Sequence, residues 1–205
     1  MLIRETVKGI LAGLCITLGG CVLLGCENRY IGALLFSVAL LTICMLGFSL
    51  YTGKVGYLVN SHKGKDFATV YSGLLGNIIG CFGFGFLASE SLPALVAKAQ
   101  ALCQGKLEQS FTEALIRAFF CGVLMYIAVR LYREKSTIVG IFVCVPAFIL
   151  SGFEHSIANM FYFATARIFH GEMVLYLLVI VLGNSLGGWC IPLLEKLTKE
   201  KTNHV

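Results

Sequence analysis

Hydrophobic and polar positions divide the chain into long apolar runs separated by short charged pieces. A helix that crosses a bilayer needs about 20 mostly apolar residues. Six stretches reach that length: approximately 8–26, 30–50, 67–88, 110–131, 137–165 and 173–194. The pattern therefore predicts six membrane-crossing helices, and two of them are interrupted. Span two runs into "GFSLYTGKVGYL" (47–58), where Gly47, Ser49, Thr52 and Gly53 break the apolar series. Span five passes Pro146 and runs into "SGFEHSIANMFYF" (151–163), which sets Glu154, His155 and Asn159 among apolar residues. In lipid, such breaks survive only where protein or a water-filled cavity covers them. Two breaks that approach the midplane from opposite sides predict a pathway between them.

Composition agrees with the pattern. Hydrophobic residues make up 58% of the 205 and charged residues 13%, against about 25% charged in a soluble domain. A polytopic membrane protein is expected, as a single transmembrane domain over 1–205. Of its sixteen lysines and arginines, eleven collect on one side of the six spans, among them Arg4, Lys8, Lys54, Arg133 and Lys196. By the positive-inside rule both termini are expected in the cytoplasm. The net charge of +5 then needs no nucleic-acid partner, and the basic tail "EKLTKEKTNHV" reads as a topological anchor. Cys15, Cys21, Cys44, Cys81, Cys121, Cys144 and Cys190 lie in apolar runs, where cysteine acts as a small hydrophobe. No Cys-x-x-Cys occurs, so no disulfide framework, metal site or cofactor is expected. A lipobox-like "LLGC" ends at Cys26. The segment before it is expected to stay, because only then does each half hold three spans.

The halves share a motif. "LLGNIIGCF" (74–82) in span three recurs as "VLGNSLGGW" (181–189) in span six, matching Asn77 with Asn184. Small residues four apart are common in packed membrane helices, so the match alone is weak. Its position adds weight, since each copy closes a unit of three spans. Three is odd, so the second unit (about 101–205) enters the membrane upside down relative to the first (about 1–100), the inverted-repeat plan of many transporters.

"SGFEHSIANMF" resembles the signature of the formate/nitrite transporters, and "SLYTGKV" is similar to the family's counterpart in span two. "GKLEQSFTEALIRAFFCG" (105–122) resembles the segment that opens its fourth span. The resemblance implies an aquaporin-like, all-α protomer in a homopentamer, each protomer with its own pore for small monovalent weak-acid anions. It implies a substrate pathway at His155, Lys106, Thr52 and Asn159, and apolar constrictions at Leu40, Leu50, Tyr51 and Phe148. Gly122 departs from the family, which often has asparagine there.

The residues support part of this independently. An ionisable group at midplane depth costs about 2.5–3.5 kcal/mol on insertion scales and by default marks an ion or proton route. An imidazole titrates near neutral pH and is expected to link passage to protons, since a neutral acid crosses apolar rings more easily than its anion. Lys106 is expected to attract the anion to a vestibule. Glu154 is expected to bind freed backbone N–H groups, and Asn159, one turn on from His155, to reach the imidazole. Glu113 and Arg117, at i and i+4, are expected to pair. A membrane enzyme would need a nucleophile or metal ligands near His155, but His62, His170 and His204 fall in loops or the tail. The remaining alternative is an aquaporin-like channel for neutral solutes.

Overall fold

A computed structural model of the chain describes residues 1–61 and 63–202. His62 and His204 lie outside the described residues. Every regular element of the described chain is a helix. The first apolar run forms α1 (Leu2–Gly25). Asn28 then caps α2 (Arg29–Met45), its side-chain oxygen accepting from the N–H groups of Tyr30 and Ile31 at 2.9 and 3.2 Å. After a non-helical stretch, α3 (Tyr51–Lys54) continues as a 3-10 helix over Val55–Asn60. There follow α4 (Gly64–Ser91), α5 (Pro93–Leu107) and α6 (Phe111–Lys135). The chain closes with α7 (Val139–Leu150), α8 (Ser156–Ala166) and α9 (Gly171–Thr202).

Four of these, α1, α4, α6 and α9, are long and apolar enough to cross a membrane, with mean hydropathy between 1.5 and 2.1. The other two apolar runs yield the shorter α2 and α7. Helix α5 is an addition to the sequence reading, which left 93–107 as a connection. Its polar residues hid it, although Pro93 sits at the helix start, where a missing N–H costs nothing. Leu95, Ala99, Cys103 and Lys106 form its buried stripe at helical spacing. Helix α6 opens with a capping box: Ser110 Oγ accepts from Glu113 N, and Glu113 Oε2 accepts from Ser110 N at 3.0 Å. That corrects one expectation. The Glu113 carboxylate is held by Ser110 rather than by Arg117, because the start of a helix offers unsatisfied N–H groups to an acid.

Packing explains the shared Leu-Gly-Asn-x-x-Gly. Helix α1 lies along α4, and α6 lies along α9. A Cβ on Gly76 would stand 2.1 Å from the Thr6 carbonyl oxygen, and one on Gly80 2.6 Å from that of Ile10. On the other pair, a Cβ on Gly187 would meet the Phe119 oxygen at 1.9 Å, and one on Gly183 the Ala118 Cβ at 2.5 Å. Gly122 belongs to this seam as well, its Cα facing the Asn184 carbonyl. Backbones this close leave room only for glycine, and that proximity lets the asparagine between the glycines reach a neighbouring helix. The outward faces carry large apolar side chains, such as Leu18, Ile79, Ile116 and Leu178.

Substitution at the seam is expected to cost more than at an open glycine. Gly76→Val should lower stability by about 1–3 kcal/mol or more, as overpacking does. Gly105→Ala, with open space around the site, should not. Thermal unfolding of the detergent-purified variants measures both, and equal melting temperatures would contradict the packing argument.

Candidate functional site

Helices α2 and α7 end alike, each beside a different cavity. Helix α2 stops with Gly47 at φ 67°, and α7 stops with Gly152 at φ 68°. Phe48 N donates back to Ile43 O at 2.9 Å, and Phe153 N to Phe148 O at 2.9 Å. Gly47 N and Gly152 N donate to Cys44 O and Ile149 O. This is the Schellman closure, which needs a residue in the left-handed region and so favours glycine. It turns the chain out of the helix and leaves the next few peptide groups without helical partners.

Asn77 and Asn184 take up those groups. Asn77 Oδ1 accepts from Tyr51 N at 2.9 Å, while its Nδ2 donates to Ser49 O at 2.8 Å and Gly9 O at 2.9 Å. Asn184 Oδ1 accepts from Ser156 N at 2.8 Å, while its Nδ2 donates to Glu154 O and Ala118 O, each at 2.8 Å. Ser49 N reaches Lys8 O at 3.2 Å, and Glu154 N reaches Arg117 O at 3.3 Å. Both asparagines are fully buried. In this correspondence Leu50 and His155 are equivalents, each held between two pinned neighbours.

The environment of His155 follows from that pinning. As N-cap of α8 its Nδ1 accepts from Ala158 N at 3.0 Å. An amide N–H can only donate, so in the neutral ring the proton sits on Nε2. Nε2 faces Thr52 Oγ1 at 2.9 Å and donates to it, which leaves the threonine hydroxyl its own proton to offer. The ring stacks on Phe148 with centroids 5.5 Å apart, and Phe36 meets Phe148 edge-on at 6.2 Å. His155, Thr52, Asn159 and Phe148 are all 4% exposed or less.

Two cavities approach this point, and they share no lining residue. The one away from the termini has a volume of about 470 Å³ and includes Phe148, His155, Asn159 and Lys106 in its wall. The one on the face of the termini, about 260 Å³, includes Leu40, Leu50 and Lys54. Tyr51, expected at a constriction, lines neither. Its hydroxyl bonds Ser185 Oγ at 2.7 Å on α9 and its N–H bonds Asn77, because α3 turns that face toward α9.

The charged residues depart further from expectation. Glu154 does not bind backbone N–H groups with its carboxylate. Its Oε2 pairs with Lys106 Nζ and accepts from Asn159 Nδ2 at 2.9 Å, and its Oε1 accepts from Gln109 Nε2 at 2.9 Å. Asn159 thus has the carboxylate as partner where the imidazole was expected. Asn184 already satisfies the local backbone, which frees the acid for side chains. Lys106 ends α5 instead of opening the next span, and its ammonium lies 5.8 Å from the Tyr162 ring centre. It is a paired, nearly buried cation. Arg29 and Lys98 line the same cavity while remaining exposed, and Arg29 Nη2 also donates to Ile149 O at 2.9 Å, at the end of α7. Sequence reading passed over Arg29, Lys98 and Gln109. Their only signal was a place beside a span end.

The sequence pattern of a family described as Formate/nitrite transporter matches residues 2–195. Among curated relatives, a Bacillus subtilis protein described as the uncharacterized transporter YrhG is 32% identical, with 80% of this chain and 69% of that one covered. The formate channel BtFdhC of Bacillus thuringiensis is 29% identical, covering 77% of this chain and 68% of that one. Among solved structures, a pentameric formate channel with formate bound superposes with a TM-score of 0.77 at 23% identity, over 97% of each chain.

A buried pair that loses one partner leaves a bare charge behind, at about 3–5 kcal/mol. Glu154→Ala is therefore expected to destabilise the protein strongly. The double variant Lys106→Met with Glu154→Gln should recover most of the loss. Denaturation of the three purified forms tests this, and a double variant no better than Glu154→Ala would contradict the pairing.

Proposed function

This chain belongs to the formate/nitrite transporter family, and we propose that it is a channel or transporter for small monovalent weak-acid anions, formate foremost, with passage linked to protons at His155. The observation that carries the reading is the partition between the two cavities. A ring of apolar side chains, Leu40 and Leu50 on one side and Phe148 on the other, flanks the His155–Thr52 hydrogen bond. A bare anion entering such a ring loses hydration and gains little in return. The neutral acid does not carry that penalty.

In this reading the anion collects in the larger cavity, drawn by Arg29 and Lys98 beside the largely neutralised Lys106–Glu154 pair. It reaches the His155–Thr52 hydrogen bond, where Nε2–H is given to Thr52 Oγ1 and the threonine hydroxyl proton is left to donate, and it is protonated there. With Nδ1 committed to Ala158 N–H, the proton reaches the anion from cavity water past the imidazole, and the ring orients the exchange. Asn159 stands in the wall of the larger cavity, Thr52 lies between the cavities as the partner of Nε2, and Tyr51 follows Leu50 at the start of α3.

The architecture proposed around this pathway has six spans in two inverted repeats, with spans two and five broken in an aquaporin-like arrangement. The paired hydrogen bonds of Asn77 and Asn184 support that plan. The protomer is proposed to sit in the cytoplasmic membrane as one of five copies, both termini cytoplasmic, its apolar outward faces covered by lipid and by neighbouring copies. A relative structure described as a pentameric formate channel supports the count of five.

Proteoliposomes separate this reading from a neutral-solute channel. Labelled formate should accumulate along a formate gradient, while glycerol should produce no swelling above empty liposomes. Glycerol swelling without formate uptake would overturn the reading. His155→Asn keeps an acceptor for Ala158 N–H, so the oligomer should assemble. It should alter the dependence of formate uptake on pH between 5 and 8 and let formate pass as a measurable current. An unchanged pH profile with no current would remove His155 from the mechanism.

A further inference from the structure

The correspondence between the two breaks extends from backbone to side chains. Beyond Glu154, Asn159 Nδ2 donates to its Oε2 at 2.9 Å. At the matching places in the other half, Lys54 Nζ donates to Ser49 Oγ at 2.9 Å. Each break is thus backed by one lysine–carboxylate pair, Lys106 with Glu154 and Lys54 with Glu5 at 3.2 Å. The two pairs are compensated unequally. Glu154 is 2% exposed and is held by Lys106, Gln109 and Asn159. Glu5 is shared between Lys54 and Lys8, at 3.2 and 3.4 Å, and 30% of the Lys54 side chain remains exposed.

Lys54 lines the 260 Å³ cavity on the face of the termini, together with Leu40, Leu50 and Arg133. The Arg133 guanidinium lies 4.4 Å from the Tyr57 ring centre, a contact that leaves its charge intact. None of the described residues in that wall is acidic, whereas the opposite cavity includes Glu27.

We infer that Lys54, with Arg133, forms a second anion-binding site at the mouth on the face of the termini, one that takes the same small monovalent carboxylate as the mouth at Lys106. This inference rests on the function proposed above. The ammonium and guanidinium supply donors for the two carboxylate oxygens, and Leu40 and Leu50 lie on the same wall. An anion held there waits directly against the apolar ring. Because less negative charge offsets these cations, this mouth saturates at lower formate concentration than the opposite one.

The test uses right-side-out and inside-out membrane vesicles containing the full chain, with initial rates of labelled formate entry measured against concentration at low ionic strength. For Lys54→Gln, the half-saturating concentration at the face of the termini should rise about fivefold or more, the scale of one charge-assisted hydrogen bond. At the opposite face it should change little. Lys54→Arg should stay near wild type, Arg133→Gln combined with Lys54→Gln should raise the value further, and added salt should shrink every difference. If wild type carries formate but Lys54→Gln leaves half-saturation at that face unchanged, the site is refuted. A rate loss equal at both faces, with half-saturation unmoved, refutes it too and makes Lys54 only a clamp for Glu5. Absence of formate entry in the wild type would strike the proposed function instead.

Discussion

A backbone amide taken out of a helix inside an apolar protein has to find another partner, since an unsatisfied buried polar group costs about 1–3 kcal/mol. Here that constraint is met twice by one device. Asn77 and Asn184 each accept one N–H and donate to two carbonyls, and in both cases the carbonyls come from the broken stretch and from a neighbouring long helix. The glycines around each asparagine bring the helices near enough for a short side chain to span the gap. Remove the close approach and the amide falls short. Remove the amide and the interruption has no support. The remaining features of the site follow from this bracing.

With its neighbours Glu154 and Ser156 pinned by Asn184, His155 has little choice of direction. One ring nitrogen caps α8, and the other points at Thr52. The same pinning lets Glu154 spend its carboxylate on Lys106, Gln109 and Asn159. The Lys106 charge is therefore largely neutralised, and in the proposed mechanism the exposed Arg29 and Lys98 attract the anion at that mouth. Polar groups then lie on both sides of a thin apolar barrier. In the proposed mechanism the barrier favours a neutral species, and the polar groups supply the place where it forms.

How much of this could be read from residues alone depended on the range of each interaction. Hydropathy is a local sum, so the long helices α1, α4, α6 and α9 were visible as runs. The Leu-Gly-Asn-x-x-Gly repeat was visible too, but its purpose was not, because the partners of Asn184 lie 30 and 66 positions away at Glu154 and Ala118. Glu154 was assigned to the nearest unsatisfied groups, whereas its partner Lys106 is 48 residues distant on a helix that composition concealed. Glu113 illustrates the opposite fault. Its i+4 neighbour Arg117 suggested a pair, yet Ser110, three residues back, offered a capping box. Tyr51 fitted a motif position at a constriction, but the rotation of a four-residue helix turned its ring to Ser185.

The claim that stands behind the rest is that the neutral acid crosses the barrier beside His155. It is tested most directly by the stoichiometry of the unmodified protein. Wild-type proteoliposomes would be given a formate gradient while labelled formate, internal pH and membrane current are recorded together. The account predicts one proton entering with each formate, rapid internal acidification and no sustained current. A steady current equal to the formate flux, without acidification, would contradict it and leave an open anion channel.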